Sequence, residues 1–146
     1  MKPLLSSVVV LTLSAGATSV LARNTVGAGI QAGKSAADGV YTEAQSARGQ
    51  ALYDKTCASC HGDKLDGTAM APTLSGQDFI SGWADRTAAD LNEKIQTTMP
   101  ADAAGTLTPQ QTVDVIAYVL KVSKYPAGST ELAPGAGLAD ISLKAK

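Results

Sequence analysis

All of the thiol and imidazole groups of this chain lie in one short stretch. The sequence has two cysteines and one histidine in 146 residues, and all three fall in "CASCH", from Cys57 to His61. A disulfide between Cys57 and Cys60 would close a very short loop and constrain the unfolded chain little. A structural zinc site needs four ligands, and Cys and His together number three. A thioredoxin-like motif should follow a strand of a βαβ unit, and no such pattern occurs.

The C-x-x-C-H spacing is typical of covalent attachment of a c-type haem. In that arrangement Cys57 and Cys60 form thioether bonds to the porphyrin, and His61 binds the iron as the proximal ligand. The sequence is also short of large apolar side chains, with one Trp and one Phe. A haem would fill the centre of so small a domain. We therefore predict one covalent haem c.

The second axial ligand is predicted to be Met99, with Met70 as the competing candidate. Met99 follows a predicted helix, and Pro100 ends that helix, so the chain can cross to the far side of the haem. Met70 is close to His61 in sequence. Two residues later, the carbonyl of Pro72 is placed to accept the His61 Nδ1 proton, which would keep Met70 on the proximal side. Cytochromes c commonly use a His/Met pair, so we expect His61 and Met99 to ligate the iron.

The N-terminal stretch "MKPLLSSVVVLTLSAGATSVLA" has the pattern of a signal peptide. Its apolar run is too short for a spanning helix, and small residues follow it. We predict a signal peptide over residues 1–22 with cleavage after Ala22. Ala15-Gly16-Ala17 is a competing site, and an uncleaved anchor is the alternative. After cleavage no integral membrane segment is expected.

The mature chain divides into three predicted regions. Residues 23–41 are rich in Gly, Ala and Ser and are expected to be a flexible lead-in. Residues 42–124 are expected to form the domain, and the Pro- and Gly-interrupted residues 125–146 are expected to form an extended strap over it that frays at its end. Without Lys2 the chain carries 11 basic and 13 acidic residues, and the basic ones form no cluster. Nucleic acid is therefore not expected as a partner.

The domain is predicted to be all-α, because no alternating strand pattern of useful length occurs. One helix should run from Thr42 into Cys57, and residues 62–82 are expected to be a loop. A second helix begins at Thr87, whose capping box is completed by Asp90, and ends before Pro100. A third begins at Thr108, with Pro109 in the first helical position. Its apolar stripe is formed by Val113, Ile116, Ala117 and Leu120.

Taken together, "RGQALYDKTCASCHG", "LDGTAMAPTLSG", "FISGWADRTAADLNEKIQTTMP" and "LTPQQTVDVIAYVLK" resemble a class I, monohaem c-type cytochrome of the bacterial periplasm. The resemblance covers residues 42–124 and implies a small cytochrome c fold, with three to four helices around one haem. It implies that Gly49 and Tyr53 of the first helix cross the last helix at Tyr118. It also implies haem contacts by Pro72 and Leu74.

The resemblance implies a periplasmic one-electron carrier with no catalytic residue. The flanks "DGVYTEAQSARGQ" and "YPAGSTEL" are similar to those of cytochromes that accompany quinoprotein dehydrogenases. A periplasmic dehydrogenase is then the expected donor, and an oxidase or another cytochrome the acceptor. The alternatives are a cytochrome subunit fixed within a dehydrogenase complex and an open-site haem enzyme or gas binder. Trp83 and Arg86 are candidates for contacts to a haem propionate. The alternative is that Trp83 is a core indole and Arg86 a solvated guanidinium.

Overall fold

The computed structural model describes residues 34–145. The predicted signal peptide and the first part of the lead-in lie outside these residues. The described part contains α-helices, two short 3-10 helices and one pair of two-residue strands. In chain order they are β1 (Lys34–Ser35), the first 3-10 helix (Ala36–Asp38), α1 (Glu43–Thr56), α2 (Ala58–His61), α3 (Gly76–Trp83), α4 (Ala88–Thr98), α5 (Pro109–Val122), the second 3-10 helix (Ala136–Asp140) and β2 (Ile141–Ser142). The predicted all-α class is confirmed.

The helix starts predicted from the capping residues Thr87 and Thr108 are confirmed, and Thr42 also caps a helix. The Thr42 side chain accepts a hydrogen bond from the Gln45 amide at the start of α1. Thr87 with Asp90 forms a complete capping box on α4. Thr108 with Gln111 forms another on α5. These local signals locate helix starts because each satisfies backbone N–H groups that the first turn leaves unpaired.

The crossing of α1 and α5 depends on Gly49. A Cβ atom at this position would lie 1.8 Å from the Asp114 carbonyl oxygen and 3.0 Å from Tyr118 Cβ. One turn further along, the rings of Tyr53 and Tyr118 meet edge-to-face with centroids 5.4 Å apart. The two backbones can approach this closely only because residue 49 has no side chain. The crossing implied by the family resemblance is present.

The expectation of a loop over residues 62–82 was wrong at its end, because Gly76–Trp83 is the helix α3. Phe79 is 3% exposed, and its ring lies 6.0 Å from that of Trp83, one helical turn away. The i, i+4 aromatic pair stabilises the helix and buries its apolar face. The glycines at positions 76 and 82 concealed this short helix in the sequence.

Within residues 34–145, both flanks of the domain contain secondary structure and bury apolar side chains against the rest of the fold. Lys34 and Ser35 pair in parallel with Ile141 and Ser142. Ala36 and Tyr41 are buried in the first flank, and Leu132, Leu138 and Leu143 in the second. Burial of these apolar side chains offsets the backbone entropy lost on ordering.

A charged cluster joins α1, α5 and the C-terminal flank. The Arg48 guanidinium donates to Asp114 of α5 and to Glu131, with Nε 3.0 Å from Asp114 Oδ2 and Nη2 2.8 Å from Glu131 Oε2. Burial alone would raise the pKa of Asp114, but hydrogen bonds from Arg48, Gln110 and Gln45 hold that pKa below its usual value. The hydrogen bond from Arg48 likewise lowers the pKa of Glu131.

These lowered carboxyl pKa values predict a pH-dependent role for Arg48 in stability. A carboxyl group whose pKa is lower in the folded state than in the unfolded state stabilises the fold at pH values above its unfolded-state pKa. This stabilisation is lost as the pH falls through the folded-state pKa. Arg48→Met should therefore lower the free energy of unfolding at neutral pH, with the deficit shrinking below about pH 4. Urea unfolding of both proteins at neutral and acidic pH measures this. An equal deficit at both pH values would contradict it.

Among residues 34–145, no helix has both the length and the apolarity needed to span a bilayer.

Candidate haem-binding site

A cavity of about 690 Å³ opens beside α2 and is lined mainly by apolar side chains. Its walls come from α1 to α5, from the loop between α2 and α3, and from the segment between α4 and α5 that contains Met99. The residues predicted from the sequence to hold or contact the haem, with the exception of Arg86, line this cavity: Cys57, Cys60, His61, Pro72, Leu74, Trp83 and Met99. The fold thus brings together residues that are widely separated in the chain.

The cysteine motif forms a tight turn at one wall of the cavity. Cys57 ends α1, with its amide bonded to the Tyr53 carbonyl at 2.8 Å. The amides of Cys60 and His61 then both bond to the Cys57 carbonyl, at 3.1 and 2.9 Å. The two cysteines form no disulfide with each other, and Cys57 is half-buried while Cys60 is exposed. Burial raises the pKa of the Cys57 thiol. The turn therefore presents two separate thiols to the cavity, not a disulfide.

His61 is held in one orientation by the loop that follows it. Its side chain is nearly buried, and Nδ1 lies 2.8 Å from the Pro72 carbonyl oxygen. Because a carbonyl can only accept, Nδ1 is the protonated nitrogen and Nε2 keeps its lone pair. This contact to Pro72 is the one predicted from the sequence. It is the partner that a ligating histidine needs to fix its tautomer and ring orientation.

Gly67 allows that loop to close. Its φ is +80°, and a Cβ atom here would lie 2.6 Å from the Thr73 amide nitrogen and 2.9 Å from the Pro72 carbonyl carbon. The Gly67 amide donates to the His61 carbonyl at 2.8 Å. A side chain at position 67 would therefore push the Pro72 carbonyl away from the imidazole.

Two methionines line the cavity in different settings. Met99 directly follows α4 in an extended conformation, and its amide donates to the Ile95 carbonyl at 2.9 Å. Met70 lies in the loop near the cysteine motif and is 72% exposed. A helix end holds the Met99 backbone firmly, whereas the Met70 side chain projects largely into solvent. The arrangement favours Met99 as the methionine available for a fixed contact inside the cavity.

Trp83 ends α3 and is half-buried in the cavity wall. The Arg86 guanidinium lies over its ring, 5.4 Å from the centroid, which is the geometry of a cation–π contact. Leu74 is fixed by the hydrogen bond of its amide to the Leu65 carbonyl. Arg86 does not line this cavity, so its contact to the indole is the interaction that the structure supports.

Several cavity residues were missed in the sequence. Phe79 was assigned to a loop, and Val115 and Val119 fall outside the stripe predicted on the last helix. Every residue from 112 to 120 is buried, so this helix is covered by other parts of the protein on all sides. The sequence did contain a signal for this burial, because apolar residues occupy consecutive positions in this helix and not only those of one face.

The donor set and the cavity fit a c-type haem. The two thiols and the imidazole of His61, whose Nδ1 is bonded to Pro72, lie on one turn. The thioether of Met99 follows the end of α4, and the cavity between that turn and Met99 is lined mainly by apolar side chains. A structural zinc site would require four ligands converging on one point. Cys57 and Cys60 are placed to hold the porphyrin, and His61 Nε2 is free to bind iron.

Comparison with known proteins agrees with this chemistry. The family described as "Cytochrome C oxidase, cbb3-type, subunit III" matches residues 44–119. The cbb3-type cytochrome c oxidase subunit CcoP of Rubrivivax gelatinosus is 31% identical over 86 residues, which cover 53% of this chain and 26% of that protein. Cytochrome c-554(547) of Halothiobacillus neapolitanus is 37% identical over 60 residues, 41% of this chain and 52% of that protein. The chain therefore spans about a quarter and about half of these relatives.

Among solved structures, a chain of the sulfane dehydrogenase SoxCD from Paracoccus pantotrophus is similar at 27% identity, covering 56% of this chain and 44% of that chain with a TM-score of 0.48. The family match extends over more than half of the present sequence. This protein therefore belongs to that cytochrome c family, and it is a small all-α c-type cytochrome that carries covalent haem c.

Proposed function

We propose that this chain is a periplasmic one-electron carrier with His/Met axial ligation. Cys57 and Cys60 would form the two thioethers, and His61 and Met99 would bind the iron. Pro72, Leu74 and Trp83 would contact the haem or orient its ligands. When bound, haem iron exchanges one electron between its ferric and ferrous states.

The observation that carries this proposal is the hydrogen bond between His61 Nδ1 and the Pro72 carbonyl oxygen, 2.8 Å long. It holds the imidazole with Nε2 available to a metal and makes that nitrogen a better donor. A soft thioether from Met99 favours the ferrous state and raises the reduction potential. The apolar cavity wall limits water access, which reduces the rearrangement needed when the charge changes.

Electron transfer needs no acid, base or nucleophile, and we propose no catalytic residue. An open-site enzyme or gas binder would need a vacant sixth position and a distal polar group beside it. The sequence has a single histidine, and it is the proposed proximal ligand. The Met99 position after α4 further favours the closed site.

The proposed partners are redox proteins, with a periplasmic dehydrogenase as donor and an oxidase or another cytochrome as acceptor. Transient redox encounters use small interfaces. One named relative is an oxidase subunit. A role as a cytochrome subunit fixed within a larger oxidoreductase complex is therefore the second candidate. The signal-peptide pattern of residues 1–22 supports export to the periplasm.

Carbon monoxide binding to the reduced protein tests the closed site. Carbon monoxide requires an open iron position, so the reduced wild type should bind it weakly and slowly. Met99→Ala should open that position and raise the apparent affinity by more than a hundredfold, whereas Met70→Ala should behave like the wild type. Optical titration measures this. Ready binding by the wild type would contradict six-coordinate ligation and favour the enzyme or gas-binding alternative.

A further inference from the structure

A series of buried hydrogen bonds links the two flanks of the domain to the start of α4. The Tyr41 hydroxyl donates to the Tyr125 carbonyl at 2.7 Å. The Tyr125 hydroxyl donates to the Leu143 carbonyl. The Leu143 amide donates to the Arg86 carbonyl at 2.9 Å. The series therefore runs from the N-terminal flank through the C-terminal flank to the residue just before the α4 cap.

The end of the C-terminal flank also contacts the cap itself. Thr87, whose side chain caps α4, forms an antiparallel bridge with Ser142. The second 3-10 helix and β2 both pack against α4. The side chains of Leu138 and Leu143 are 2% and 0% exposed. The first turn of α4 is thus fixed by backbone hydrogen bonds and covered by apolar side chains of the flank.

The segments that form these contacts lie outside residues 44–119, the part matched by the family. They are residues 34–41, 124–125 and 136–143, and we call them together the flank brace. The helix that they hold, α4, runs from Ala88 to Thr98 and is about 16 Å long at 1.5 Å per residue. Met99 follows its last residue directly. A helix is rigid over this length, so a tilt at its start displaces the methionine at its end.

We propose that the flank brace positions Met99 by fixing the start of α4, and that it thereby sets the strength of the methionine–iron bond. The inference rests on the proposed ligation by Met99. Tyr125 and Leu143 are positioning residues, because they act on the site through Arg86 and Thr87. A brace that only adds stability would leave the methionine–iron equilibrium unchanged.

Tyr125→Phe is the variant that tests the brace, because it keeps the ring and removes the hydroxyl that holds the Leu143 carbonyl. Two variants serve as controls. Tyr118→Phe removes a tyrosine hydroxyl that makes no hydrogen bond within residues 34–145. Gln45→Met loosens the C-terminal flank at Leu132, away from α4. There the Gln45 side-chain amide donates to the Leu132 carbonyl and accepts from the Leu132 amide, each at 2.8 Å.

The readout is displacement of methionine from ferric iron by added imidazole, followed at the methionine-to-iron charge-transfer band of the holoprotein. Losing one buried hydrogen bond should raise the apparent affinity for imidazole roughly three- to tenfold in Tyr125→Phe. Tyr118→Phe and Gln45→Met should titrate like the wild type. Equal affinities in all four proteins, or an equal rise in Tyr125→Phe and Gln45→Met, would overturn the proposal.

Amide hydrogen exchange separates failure of the brace from failure of the ligand assignment. Tyr125→Phe should speed exchange in α4, and Gln45→Met should leave α4 unchanged while it speeds exchange around Leu132. Absence of the charge-transfer band from the wild type would refute ligation by Met99 but would not refute the brace. Unchanged exchange across α4 in Tyr125→Phe would overturn the brace whether or not Met99 binds iron.

Discussion

Replacing both Cys57 and Cys60 with serine is expected to abolish covalent haem and, with it, the folded domain. Cys57 and Cys60 form no disulfide and line the cavity together with His61. A domain of this size is stabilised by only about 5–15 kcal/mol, and an apolar cavity of about 690 Å³ left without its occupant removes much of the core. Far-UV circular dichroism should show loss of most helix.

Haem staining on a denaturing gel, normalised to the amount of polypeptide, separates attachment from expression. The wild type should stain, the double variant should not, and either single variant should stain weakly through its remaining thioether. Ser59→Ala changes one of the two residues between Cys57 and Cys60 without removing either thiol and is the matched control. Staining of the double variant at the wild-type level would contradict thioether attachment at these positions.

Gly49→Ala is expected to cause the largest loss of stability among single methyl additions to this fold. The new Cβ would lie 1.8 Å from the Asp114 carbonyl oxygen and 2.5 Å from its carbonyl carbon, so the α1 and α5 backbones must separate. Their separation disrupts the Tyr53–Tyr118 ring contact as well. We expect a decrease of about 3 kcal/mol or more in the free energy of unfolding.

Denaturant unfolding of the holoprotein measures the effect of Gly49→Ala. Gly137→Ala is the control, because a Cβ there meets no atom within 4 Å and the residue lies away from the haem cavity. Its unfolding free energy should stay within about 0.5 kcal/mol of the wild type. A Gly49→Ala protein as stable as this control would show that the helices do not cross as closely as described.

The sequence predicted the features that depend on neighbouring residues. Thr87 and Thr108 cap helices because their partners lie three residues away, and the cysteine motif places His61 next to the second thiol. The hydrogen bond from His61 to Pro72 was also predictable, since a short loop joins them. Local chemistry of this kind leaves a pattern that can be recognised without the fold.

The features that were missed depend on residues distant in sequence. No residue close in sequence to Leu132 indicates that Gln45 forms hydrogen bonds with it. Likewise, nothing close in sequence to Leu143 indicates that its backbone forms hydrogen bonds with Tyr125 and Arg86. The sequence predicts an extended strap over the domain from the Pro and Gly residues of the C-terminal flank, but it does not show which residues that strap contacts. The apolar run of the last helix indicates that Val115 and Val119 are buried, but it does not indicate that they line the cavity.

The ferric optical spectrum tests the central claim, ligation by His61 and Met99, most directly. The wild type should show the methionine-to-iron charge-transfer band. Met99→Ala should lose this band while it keeps its covalent haem, and Met70→Ala should retain the band at full intensity. Absence of the band from the wild type, or its loss in Met70→Ala with retention in Met99→Ala, would contradict the proposed ligand pair.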